Sequence, residues 1–277
     1  MNAATLVRST ETHASDLGMS NEITPVTIVV PCFNEEEGIP YLAQRLGSLV
    51  DELARTCRLS IILVDDGSTD STWELMHRHF GQDPTVTLLR HAKNMGIAAA
   101  SLTGILVSED EAVAVIDSDC TYDPALIGAM VPLLAPDVCA ITASPYHAMG
   151  GVCGVPRWRI FLSRSASRSY RVLFRNKLAT YTSCFRLYRR SAVATLQLRN
   201  SGFIGVTEKL ALLDKQGWKI IEVPALLSMR KFGQSKLSIS RAVLGHLRLM
   251  AELATARMTS RWLPMPVDTV DREIGNR

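Results

Sequence analysis

Asp117-Ser118-Asp119 places two carboxylates one residue apart, directly after the apolar run Ala112-Val113-Ala114-Val115-Ile116. Such a run reads as a buried parallel strand, and its carboxyl end is where an open α/β sheet binds ligands. Two acids delivered there suit a hard divalent cation that substrate phosphates also hold. An isolated Asp-x-Asp also serves as a plain strand-end turn, so its meaning depends on the residues that share its setting. Two of these are Glu35, which follows the run Val26 to Val30, and Asp66, which follows Ser60 to Val64. A third, Asn94-Met95-Gly96, follows Val86 to Leu89.

The elements that must position these groups are legible from period and punctuation. The run Val26 to Val30 ends at Pro31, and Glu35-Glu36-Glu37 supplies acids suited to a helix N-terminus. That helix is expected to reach about Thr56 and to bury Ile39, Leu42, Leu46, Leu49 and Leu53 on one face. Trp73 to Phe80 and the Ala-rich Ile97 to Val107 read as further helices. Strand and helix thus alternate through the first half, which predicts a mostly parallel sheet with right-handed crossovers and helices on both faces. Neither GxGxxG after the first strand nor GxxxxGK[ST] anywhere is present, so dinucleotide and P-loop readings lose their usual support.

The second half differs. Gly150 to Gly154 forms a joint before an Arg-rich stretch, Arg157 to Lys177. As a helix it would align Arg157, Arg164, Arg168, Arg171 and Arg175 on one face. Two readings of that face stay open: a solvated charge run, or a surface for phospholipid head groups or a lipid phosphate. Thr182 to Tyr188 and Trp218 to Val223 read as strands, with a helix from Val206 to Lys215 between them. Beyond Lys236 an amphipathic helix carries Leu244, Leu247, Ala251, Ala254 and Met258, and either packs on the domain or lies in a membrane interface.

Composition bounds the class. With 277 residues, 47% of them hydrophobic, the chain has material for one large α/β domain. Thirty Lys and Arg against 27 Asp and Glu give a net charge of +3, too small to argue for a nucleic-acid partner. The six cysteines lack zinc spacing and read as reduced. The first 24 residues read as a polar tail, neither signal peptide nor anchor, and no run of about 18 apolar residues occurs. The expected organisation is a tail over 1–24, a core domain over 25–240, a C-terminal amphipathic helix over 241–263 and a tail over 264–277. The expected location is cytoplasmic, with membrane contact, if made, peripheral and on the cytoplasmic face.

Several segments together resemble the family-2 glycosyltransferases, which have the nucleotide-diphospho-sugar fold called GT-A. Pro31-Cys32-Phe33-Asn34-Glu35 is similar to their first-strand motif, Val64-Asp65-Asp66-Gly67-Ser68-Thr69-Asp70 to their second, and Asp117-Ser118-Asp119 to their metal motif. Ser183-Cys184-Phe185-Arg186 resembles a Ser-Gly-Phe-Arg segment of the branch that transfers sugars to polyprenyl or dolichyl phosphates. Glu222-Val223-Pro224 and Arg230-Lys231-Phe232-Gly233-Gln234-Ser235-Lys236 resemble that branch's closing motifs. The order and spacing of the segments make the combination specific where each alone is weak.

The resemblance implies a metal-dependent, inverting transferase that moves a sugar from a UDP- or GDP-sugar to a polyprenyl phosphate. Pro31, Asn34, Glu35, Asp66, Asn94, Asp117 and Ser118 would then bind the donor. Asp66 would accept from a base imide N–H and Glu35 from ribose hydroxyls, while Asp65 orders the loop. Asp117 and Asp119 would hold Mg²⁺ or Mn²⁺ on the diphosphate. Glu208 would orient the acceptor or act as general base, its other reading being an ordinary helix-N-terminal acid. Arg186, Arg230, Ser235 and Lys236 would bind the acceptor phosphate, with one or two of them pairing instead with Glu222. Thr121 stands where relatives commonly have Gln, and as a shorter, neutral side chain it leaves a third protein ligand to the metal open. A hydroxyl acceptor on a lipid, glycan or metabolite is the alternative, and a non-catalytic nucleotide-sugar-binding protein is the alternative of another class.

Overall fold

The computed structural model describes residues 23–233 and 239–258. Its order is β1 (Thr24–Cys32), α1 (Ile39–Leu53), β2 (Cys57–Asp65), α2 (Thr72–Phe80), β3 (Val86–Arg90), α3 (Ile97–Val107), β4 (Ala112–Val115), α4 (Leu126–Met130), β5 (Val138–Ser144) and β6 (Gly151–Val152). It continues with α5 (Arg157–Leu173), β7 (Arg186–Arg189), α6 (Arg190–Val193), α7 (Phe203–Lys215), β8 (Lys219–Pro224), β9 (Leu226–Leu227) and α8 (Ile239–Met258).

Seven strands form one sheet in the order β3-β2-β1-β4-β7-β5-β8, and every pair is parallel except the two that β7 makes with β4 and β5. The chain runs outward from β1 through β2 to β3, then returns to place β4 on the other side of β1. That reversal opens a crevice at the carboxyl ends of β1 and β4, where doubly wound folds bind ligands. The strands alternate their apolar side chains between two cores. Val26, Ile28 and Val30 face α1, α2 and α4, whereas Val29, Ile62, Val64, Val113 and Val115 face α3, α5 and α7. Burial on both faces explains why the strands read as near-continuous apolar runs.

α1 buries the five residues read from its periodicity, but it begins at Ile39. The three acids before it do not sit in its first turn. Glu36 accepts from the Ser71 amide at 3.1 Å, Glu37 from the Gly233 amide at 3.0 Å, and Glu35 turns into the crevice. The expected strand over Thr182 to Tyr188 is also displaced: β7 starts at Arg186, and Thr182, Ser183 and Cys184 line the crevice. A two-stranded sheet of β6 and β9 ties the entry of α5 to the segment that carries Arg230.

Candidate active site

The crevice is a cavity of about 1090 Å³ bordered by the loops after β1, β2, β3 and β4, by residues 182–184, by the start of α5 and by the segment after β9. The loop after β4 turns sharply. The Cys120 amide donates to the Asp117 carbonyl at 3.1 Å, and Cys120 holds a left-handed φ of 48°. This brings the Asp117 and Asp119 side chains to the same recess, and the Asp119 carboxylate accepts from the Thr121 amide at 3.1 Å.

The neighbouring loops present Asp66 and Glu35. Gly67 follows Asp66 with φ +71°, and a Cβ there would lie 2.4 Å from the Lys93 carbonyl carbon, so only glycine lets these two loops abut. Asp65 orders its loop as expected, accepting from the Ser68 amide at 3.0 Å and pairing with Arg90 at 3.0 Å. Asp66 accepts from His91 Nδ1 at 2.7 Å and from the Met95 and Gly96 amides at 2.9 and 2.7 Å. His91 Nε2 lies 3.0 Å from the Thr103 hydroxyl, which fixes the ring against α3.

Arg230 reaches in from the opposite wall. Its Nε donates to Asp119 at 2.7 Å and a terminal nitrogen donates to Glu35 at 2.8 Å. Burial pulls the guanidinium pKa down, but Asp119 and Glu35 outweigh it, so the net shift is upward. Asp117 feels the opposite balance. Desolvation and then the Asp119 charge raise its pKa to about 7, while the Cys184 thiol, donating to it, and Arg230 oppose that rise. The carboxylates of Glu35, Asp117 and Asp119 thus outnumber the one guanidinium, Arg230, seen in contact with this group. Two hard carboxylates with that surplus fit a divalent cation, and the guanidinium between Glu35 and Asp119 stands where positive charge is wanted.

Eight of the expected residues line the cavity: Pro31, Glu35, Asp66, Asn94, Asp117, Ser118, Asp119 and Arg230. Three do not. Asn34 is spent on loop geometry, with φ 52°, its amide donating to the Ser68 hydroxyl at 2.9 Å and its side-chain oxygen accepting from the Thr69 amide at 2.8 Å. Arg186 is fully buried and donates to the Tyr181 carbonyl at 2.7 Å, to the Val206 carbonyl and to the Tyr188 hydroxyl at 3.2 Å. It holds β7 to α7 and is not presented to an acceptor phosphate. Glu208 is buried in α7 and accepts from the Arg199 and Asn200 amides at 3.0 and 2.9 Å and from the Asn200 side chain at 2.9 Å. It braces the segment that brings Gly202 and Phe203 to the cavity, and its carboxylate faces that segment. Ser235 and Lys236 lie outside the described residues. Glu222 accepts from the Ala179 amide at 2.9 Å.

Arg159 and Arg241 were not singled out by the sequence, yet both line the cavity, from the first turns of α5 and α8. Arg159 falls off the helical face that aligns the other arginines of α5.

The strand-end acids gather at the switch point of a mostly parallel α/β sheet. Residues 27–196 match Glycosyl transferase family 2, and the chain belongs to that family. The Pyrococcus furiosus dolichol-phosphate mannosyltransferase is 26% identical over 214 residues, which cover 76% of this chain and 59% of that one. The undecaprenyl-phosphate 4-deoxy-4-formamido-L-arabinose transferase of Pectobacterium carotovorum is 27% identical over 250 residues, covering 87% and 70%. Among solved structures, the Mycobacterium tuberculosis glucosyl-3-phosphoglycerate synthase with Mn²⁺, UDP-glucose and phosphoglyceric acid superposes with a TM-score of 0.58 at 18% identity, covering 88% of this chain and 82% of that one. That likeness supports the GT-A fold.

Proposed function

We propose that the chain is an inverting transferase that moves a sugar from a nucleoside diphosphate sugar to the phosphate of a polyprenyl lipid. The observation that carries this reading is the convergence of Glu35, Asp66, Asp117 and Asp119 beside Arg230 in one crevice, with Arg159 and Arg241 on its wall. Acids at the floor meet the hydroxyl and imide donors of a nucleoside, and cations meet phosphate oxygens. The names of the two sequence relatives support a lipid-phosphate acceptor, and the complex of the fold relative supports a UDP-sugar as one donor class.

In this reading Asp66, fixed by His91 and two amides, offers its remaining acceptor capacity to a base N–H, and Glu35 takes ribose hydroxyls. Asp117 and Asp119 would hold Mg²⁺ or Mn²⁺, which when bound offsets the charge gathering on the departing diphosphate. Arg230 exchanges its carboxylate partners for phosphate oxygens, to which a guanidinium can donate through two parallel N–H bonds. A phosphate oxygen of the acceptor forms the new bond to the anomeric carbon as the bond to the β-phosphate oxygen breaks on the opposite face. The acceptor is already anionic near neutral pH, so no general base is required, in keeping with a Glu208 engaged elsewhere. Arg159 and Arg241 replace Arg186 as the described residues proposed to receive the acceptor phosphate.

The test is incubation with a panel of UDP- and GDP-sugars, Mg²⁺ or Mn²⁺ and a short polyprenyl phosphate, with products resolved by mass. One donor should yield a sugar-phosphate-lipid. Transfer only to hydroxyl acceptors would favour the alternative chemistry, and binding of donor without turnover would favour a non-catalytic role.

A further inference from the structure

No Asp or Glu occurs between Asp137 and Glu208, while Arg157, Arg159, Arg164, Arg168, Arg171 and Arg175 fall inside that interval, all in or just after α5. The helix buries Ser167 and Tyr170 against the domain and turns Trp158, Phe161, Leu162 and Val172 outward, with Phe161 68% exposed. α8 packs beside it: the Tyr170 hydroxyl meets His246 Nδ1 at 2.9 Å, and Arg257 donates to the Val172 carbonyl at 2.7 Å. α8 buries Leu249 and Leu253 and leaves Ile239, Val243, Leu244 and Leu247 exposed, Leu244 at 69%. Both helices begin at the wall of the cavity, which Arg159, Ile160, Arg241 and Ala242 line.

Large apolar side chains rarely stand outward together on the surface of a monomer unless something covers them. Here they are accompanied by arginines and by almost no acids, Glu252 being the only acid of α8. Apolar groups on the outer strip with cations around them is the pattern of a helix lying in the interface of an anionic bilayer. We infer that α5 and α8 form a membrane-docking face that seats the cavity mouth against an anionic lipid surface. An acidic protein partner would match the arginines but leaves Phe161, Val172, Leu244 and Leu247 without a stated complement. A bilayer supplies both. No helix among the described residues is long and apolar enough to cross a membrane, so the contact is peripheral. The inference deepens the lipid-acceptor reading by giving a water-insoluble acceptor a short path from bilayer to cavity.

The experiment is flotation of the full chain with vesicles of phosphatidylcholine alone or mixed equally with phosphatidylglycerol, without donor, metal or acceptor. Binding is expected to the anionic vesicles, to weaken as salt is raised, and to fall about tenfold in F161E/L247E. R157A/R168A, which leaves the apolar strip intact, should reduce the preference for anionic vesicles. F161E/L247E should keep its thermal midpoint and its turnover of a short, water-soluble polyprenyl phosphate. Equal partition of wild type and F161E/L247E, no preference for anionic vesicles, or a solution dimer that F161E/L247E dissociates without any vesicle binding would overturn the inference. Because binding is read without turnover, failure of the transfer assay leaves this result separately legible.

Discussion

Arg230 Nε lies 2.7 Å from Asp119, the second of the two carboxylates best placed to hold a divalent cation. The same guanidinium reaches Glu35 at 2.8 Å, and its segment is stitched to the acid loop by the Ser228 amide donating to the Thr121 carbonyl at 2.9 Å. The segment is further held by Phe232 against Tyr41, ring centroids 5.6 Å apart. In the proposed reading, guanidinium and metal would compete for Asp119 before donor arrives. R230A should tighten Mn²⁺ binding to the donor-free protein by about tenfold while turnover falls by about 10²-fold or more. Manganese titration by electron paramagnetic resonance reads the first effect. Weaker metal binding in R230A would show that the arginine does not occupy the metal's partner.

Arg186 is predicted to act on stability rather than on acceptor binding. R186L removes the buried guanidinium that donates to the Tyr181 and Val206 carbonyls, although the Thr207 hydroxyl still donates to the first at 3.2 Å, at a total cost of about 1–3 kcal/mol. Urea denaturation should show the loss, and the KM for acceptor in the folded fraction should stay unchanged. A selective rise in that KM would return Arg186 to the acceptor site.

Glu208 satisfies three donors of Arg199 and Asn200. E208A should lower the thermal midpoint and reduce transfer to phosphate and hydroxyl acceptors by the same factor. A loss confined to hydroxyl acceptors would instead mark Glu208 as a general base.

Lys209 is buried, and burial, with the charge of Arg186 second, lowers its pKa from 10.5 to about 7. Between pH 7 and 10.5 the unfolded chain holds this proton and the folded chain does not. Stability from this group therefore rises with pH across that window and is least below pH 7. The difference between wild type and K209M in urea melts isolates the effect, since the variant lacks it. Parallel pH profiles for the two proteins would contradict the assignment.

The first four strands were legible because burial makes β1, β2 and β4 apolar runs, and α3 appears at its read bounds, Ile97–Val107, whereas β5 went unread although all seven of its residues are buried. The acids of the crevice were legible because each ends such a run. What misled was local chemistry whose outcome depends on distant partners. Glu35 and Glu37 look like helix-start acids until Arg230 and Gly233 arrive from far along the chain. Arg186 and Glu208 have the residue types of an active site, but β7 and α7 turn both inward to satisfy backbone groups. Arg159 and Arg241 became visible only when two separate helices met at one wall, a juxtaposition no spacing encodes.

The most direct test of the central claim compares wild type with D119A and D117A in the donor-panel assay with polyprenyl phosphate, each with and without Mg²⁺ or Mn²⁺. The account predicts a sugar-phosphate-lipid product from the wild type with metal, and a loss of about 10²-fold or more both on chelation and in each variant. Undiminished product in the chelated enzyme or in D119A would contradict it.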